Sequence, residues 1–237
     1  LYLAKPHPGT DNLRDIVKNL RGEIIKNGGE VRFFTRLTDI QTQNARLCGV
    51  VVQNEKDDTE IISTDRLIIA AGHSARDVYE MLKKHGVIME QKPFSIGVRI
   101  EHLQEKINKA QYGDFAKYLG AADYKMACHL PSGRSVYTFC MCPGGNVVAA
   151  ASEEGRLVVN GMSLFARNDK NSNSAVLCNV EPEDFNSDDV LAGVDFQQRY
   201  EELAYEAGGS NYCAPAQLVG DFLKGRSSKG PMEVKPS

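Results

Sequence analysis

The sequence predicts an α/β core interrupted by a β-rich second domain, with α+β content for the chain taken alone. Three observations carry this. An amphipathic helix opens the chain. The apolar run Arg66 to Gly72 ends in small residues and leads into a second helix. After Pro93 the texture turns to short strands. The expected units are 1–90 as part of a core domain, 91–215 as the β-rich domain, and 216–237 as a return segment toward the core.

Residues 11 to 27 repeat Leu13, Ile16, Val17, Leu20, Ile24 and Ile25 at three- and four-residue spacing, which puts them on one helical face. Thr10 or Asp11 can cap the start, and Gly28 or Gly29 can end it. Strands are expected over 30–35, 37–41, 49–53, 60–63 and 66–72, then a helix over 74–85 stopped by Gly86. Beyond Phe94 the expectations are a strand at 95–101 and a helix at 105–112. A hairpin of 135–142 and 146–151 is expected to turn at Pro143-Gly144-Gly145, followed by a strand at 157–163. The Asn-, Asp- and Ser-rich stretch 165–174 reads as loop, followed by a strand at 175–180 and a helix at 190–207.

Composition excludes several classes. A net charge of −3 and the lack of any Lys/Arg cluster with interleaved aromatics argue against nucleic acid. No apolar run approaches the ~20 residues a bilayer span needs. Six cysteines in 237 residues are too sparse for a disulfide scaffold, so reduced thiols and a cytoplasmic protein are expected. The chain opens on Leu1 and closes in loop-like composition, and it reads as a piece of a longer protein.

The most informative local feature is Leu67 to Ser74. An apolar strand that exits through Ala70-Ala71-Gly72 lets a ligand approach the backbone, and a helix begins just after His73. A buried strand entering a tight turn gives the same pattern.

Set after a β meander, this segment resembles the second FAD-contacting segment of flavoproteins with a glutathione-reductase type of FAD domain. Gly28-Gly29-Glu30-Val31-Arg32-Phe33 resembles the strand that precedes that meander. Longer strings are similar to a family of bacterial FAD-dependent dehydrogenases. They include the stretch from Lys92-Pro93-Phe94 to Glu101-His102, the stretch from Tyr137-Thr138-Phe139 to Pro143-Gly144-Gly145, and Ala214-Pro215-Ala216-Gln217. The resemblance implies FAD as cofactor, with adenine contacts from the backbone of Arg36, Leu37 and Thr38 and further contacts from Ala70, Ala71, Gly72 and His73. No strand followed by Gly-x-Gly-x-x-Gly occurs, so the pyrophosphate loop of such domains is absent and weak FAD binding by this chain alone is expected.

Catalytic candidates lie in the β-rich part. Cys140 and Cys142 flank one residue and would point the same way on a strand. They suit a thiol pair near a flavin, a zinc site short of ligands, or two small apolar groups in a hairpin. Arg99 and His102 end an apolar strand on opposite faces, suited to anchoring a substrate or simply ordering the strand. Lys5, Arg76 and Lys92 are candidates for FAD phosphates or substrate. The function expected is flavin-mediated electron or hydride transfer on a small molecule, with NAD(P)H as a possible donor. A non-catalytic flavin-binding module and a tRNA-modifying flavoprotein are the alternatives.

Overall fold

A computed structural model describes residues 7–229 and 233–235. The fold is α+β, and every strand pair among the described residues is antiparallel. Helix α1 (Gly9–Lys26) leads into a meander of β1 (Thr35–Gln43), β2 (Arg46–Asn54) and β3 (Thr59–Ser63). Asn44 and Ala45, both at positive φ, make the tight turn whose twist matches the flanking strands. The next turn is held by Asn54, whose Oδ1 accepts from the Lys56 and Asp58 amides. Helix α2 (Arg76–Lys84) lays Val78 and Met81 on Ile40 and Val50 of the meander, forming one small core.

The second part is built on a four-stranded sheet of order β4-β9-β6-β5, from β4 (Phe94–Leu103), β5 (Ala127–His129), β6 (Ser135–Cys142) and β9 (Asn171–Val180). Helix α3 (Gln104–Tyr112) follows β4 directly. A separate ribbon pairs β7 (Gly145–Ala150) with β8 (Val158–Ser163). It covers one face of the sheet so closely that a Cβ on Gly161 would strike the side chains of Arg99 and Asn173. Helix α4 (Ala192–Ala207) closes a second core over Ala149 and Leu157 of the ribbon side and Ala214 of β10 (Ala214–Pro215). A short α5 (Val219–Phe222) and β11 (Glu233–Val234), which pairs with β10, complete the order.

Four expectations are corrected. Residues 30–34 and 66–72 form no strand and belong to no sheet, because no strand lies beside them among the described residues to complete a ladder. Ile68, expected to be buried on both faces, is 92% exposed. Strands β6 and β7 do not pair as a hairpin: β6 joins β9 and β7 joins β8. The polar stretch read as loop through Ser174 enters β9 at Asn171, with Ser172, Asn173 and Ser174 fully buried.

Helix α1 forms close to the expected span, starting two residues earlier, yet its apolar face is largely uncovered among the described residues: Leu20 is 62% and Val17 57% exposed. Its start is fixed from the other part of the chain. The Asp11 carboxylate accepts the Phe165 amide at 2.9 Å, and Thr10 donates to the Ser163 carbonyl at 3.2 Å. Similar polar ties join α2 to the β-rich part. Lys83 pairs with Asp189 at 2.7 Å, and Arg76 sits 4% exposed between Glu153 and Glu201 at 2.8 and 2.7 Å. Arg76 is therefore a buried bridge between the two parts, not a free cation for a phosphate. Lys92 is paired with Glu90, and Lys5 lies outside the described residues.

Candidate functional site

Two places gather the residues singled out from the sequence. The first is the turn from residue 70 into α2. Gly72 holds φ +76°, and nothing lies within 4 Å of where its side chain would start. This left-handed conformation favours glycine, and the space above it is open. Helix α2 begins with no side-chain cap, so its leading N–H groups face this turn unclaimed by a side chain. The start of β1 reaches the same place: the Arg36 guanidinium pairs with Asp77 of the first α2 turn at 2.6 Å. Leu37 shares its core with Leu67 and Ala75, so the start of β1 lies beside the segments that bracket residues 70–73. Leu37 packs into the core beneath α2, and the Thr38 hydroxyl donates to Val51, so both are committed through their side chains. Ala70, Ala71 and His73 are exposed, and Ser74 ties the turn to Ser152 at 2.8 Å.

The second place is the sheet β4-β9-β6-β5. Register puts Arg99, Asn173 and Cys142 on the face beneath the ribbon. There Arg99 donates to the Asn173 side chain and to the Cys140 carbonyl at 3.3 Å. These bonds, both from Nη1, tie Arg99 into the two-layer packing. Cys140 and Cys142 do not point the same way. A bulge with Cys140 at φ +48° leaves Cys140 exposed and Cys142 buried, and burial pushes the Cys142 thiol above its usual pKa. Among the described residues no group of three or more His, Cys, Asp or Glu could hold a metal ion.

The opposite face is uncovered at Val98 and covered toward Ser174 and Ser172. Val98, across from Val176 in the register, is 62% exposed. At its end His102 Nε2 lies 2.8 Å from the Tyr124 hydroxyl, and Nδ1 lies 3.0 Å from Ser172 Oγ. His102 was foreseen as a candidate; Tyr124 and Ser172 were not. Burial lowers the His102 pKa and raises that of Tyr124, so both are neutral near pH 7. With its proton on Nδ1, the imidazole donates to Ser172 and accepts from Tyr124. The set is a half-buried chain through which a proton can pass between ring and phenol.

The depressed His102 pKa has a consequence for stability. The unfolded chain takes up a proton near the ordinary value of 6.5, whereas the folded chain takes it up only at lower pH. The contribution is full above that value and is lost as pH falls below it. We expect urea midpoints to fall less between pH 7.5 and 5 in His102→Gln than in wild type, since the other histidines are common to both. Parallel profiles would show that His102 titrates normally in the folded protein.

No helix among the described residues is long and apolar enough to cross a membrane. An uncharacterized protein of Clostridium beijerinckii (strain ATCC 51743 / NCIMB 8052) is 51% identical over 239 residues; the match covers all of this chain, which spans 44% of that relative's length. Residues 93–237, which hold the four-stranded sheet, its ribbon and the His102 chain, match the model of one family. The chain belongs to the family described as FAD-dependent protein, C-terminal domain-like.

Proposed function

We propose that this chain forms part of an FAD-dependent oxidoreductase acting on a small molecule. It would supply the contacts near the adenine end of the cofactor and a β-rich wall over the substrate. The observation that carries the reading is the pairing of Arg36, at the start of β1, with Asp77 in the first turn of α2, the helix that follows residues 70–73. The uncapped start of α2 lies beside the exposed Arg36, and the open Gly72 at positive φ leads into it. That combination fits a ribose or phosphate held by backbone N–H groups. The family's FAD dependence supports it from the other part of the chain.

Bound FAD would supply hydride or electron transfer. The chain's own residues would do the rest. Backbone at 36–38 and 70–73 would hold the nucleotide. The sheet face around Val98 would exclude water from the substrate, and Tyr124 with His102 behind it would donate or take up a proton there. The apolar face of α1 and the exposed Ile68 are the surfaces we expect the rest of a longer protein, such as the Clostridium relative, to cover.

The test is the absorption spectrum of the protein expressed with its flanking sequence, followed by anaerobic addition of NADH and NADPH. A flavin spectrum bleached by either donor, or by a screened substrate, is the expected result. A flavin that no donor reduces would favour a non-catalytic flavin-binding module, and co-purifying RNA would favour a tRNA-modifying role.

A further inference from the structure

We propose that the cleft at the start of α3 binds a small anion through a carboxylate or phosphate group, with Arg167 as its principal ligand. The cleft has a volume of about 360 Å³ and is lined by Gln104, Asn108, Arg167, Asn168 and Lys170. The inference does not rest on the flavin reading.

Two features of Arg167 carry it. Its guanidinium makes no hydrogen bond or ion pair among the described residues, and its Nε is buried. A buried N–H without an acceptor is costly, and it calls for a water or an ion to fill the gap. Second, Arg167 is held at φ +50°, a conformation that Gly or Asn adopts more readily. The fold makes room for it: Gly144 is so close to the Arg167 carbonyl that any side chain at 144 would strike it. A residue fixed in strained backbone with its charge unanswered suits a ligand better than it suits the fold.

The surroundings complete an anion site. Gln104 and Asn108 are locked in place. Gln104 Oε1 accepts the Gly144 amide at 2.7 Å, and Asn108 Oδ1 accepts the Ala122 amide at 2.9 Å. Lys170 adds a second cation. Two carboxylates also line the cleft: Asp169 is engaged by Asn146 at 2.9 Å, and Glu105 is exposed to solvent. The planar guanidinium fork matches the paired oxygens of a carboxylate or phosphate. The cleft is built from the segments that carry the proton chain: Gln104, Ala122 and Lys170 each lie two residues from His102, Tyr124 and Ser172, respectively.

The test is calorimetric titration of the full chain with inorganic phosphate and with malonate, against chloride at matched ionic strength. Saturable binding of phosphate or malonate, without a like response to chloride, is expected, and the tighter probe tells which class of ligand the cleft takes. Arg167→Gly relieves the backbone strain, so it should weaken binding by roughly tenfold or more while melting no lower than wild type in anion-free buffer. Arg167→Lys keeps the charge without the fork and should weaken binding less. The proposal is overturned if neither probe saturates, if chloride does as well, or if Arg167→Gly binds like wild type. It is equally overturned if Arg167→Gly melts clearly lower, which would make the arginine structural.

Discussion

Arg76→Met is expected to lower the unfolding free energy by about 3–5 kcal/mol. The side chain is 4% exposed and bonded through both Nη atoms, with two hydrogen bonds to Glu201 and one to Glu153. Glu153 keeps a counter-ion in Arg156, but Glu201, itself 8% exposed, is left as a buried carboxylate without one. Methionine fills much of the volume, so the loss comes from the stranded charge and not from a cavity. The double change Arg76→Met with Glu201→Met should therefore regain most of the stability. Urea denaturation of wild type and the two variants decides it. A single-variant loss below about 1 kcal/mol would mean that water reaches Glu201 and that the two parts of the chain are not fastened here.

Gly72→Val, made in the protein with its flanking sequence, is expected to cut flavin occupancy roughly tenfold or more, equivalent to about 1.4 kcal/mol of binding. Two effects must be separated. A β-branched residue at φ +76° strains the backbone by about 1–2 kcal/mol whatever lies nearby. A Cβ there, however, meets no atom within 4 Å beyond its chain neighbours, so the side chain starts in open space. Flavin loss well below the melting transition would then come from a side chain standing in the cofactor's space. If occupancy instead falls only in step with unfolding, the glycine serves the turn alone.

Much of the local structure was legible because the signals were local. The three- and four-residue apolar spacing of α1 and the stop at Gly86 after α2 needed no knowledge of partners. The misreadings depended on what lies alongside. Residues 66–72 have strand composition, but a strand exists only with a neighbour to bond, and none flanks them among the described residues. Pro143-Gly144-Gly145 looked like a hairpin turn. It does turn the chain, but into a different sheet, and its glycines also serve close approach: Gly144 admits the Arg167 carbonyl, and Gly145 the Met162 carbonyl of β8. The run Asn171 to Ser174 alternates nothing apolar, so periodicity could not reveal a strand whose polar groups are satisfied inside the fold.

At the candidate site the same division holds. His102 could be picked out at the end of an apolar strand, while Tyr124 sits in an irregular segment and Ser172 in a stretch read as loop. Only the pairing of β4 with β9 sets Ser172 opposite His102. Arg99 and Cys142 drew notice as reactive types, yet the ribbon that packs on Arg99 comes from residues whose pairing was misassigned.

The central claim is that FAD meets this chain at residues 36–38 and 70–73. The most direct measurement is hydrogen–deuterium exchange on the protein with its flanking sequence, compared with and without FAD. Residues 66–72 have no ladder to protect them, so their exchange should be fast without the cofactor and should slow markedly on binding, together with the start of β1 and the first turn of α2. Slowing confined to other segments, with 66–74 exchanging equally fast in both states, would contradict the account.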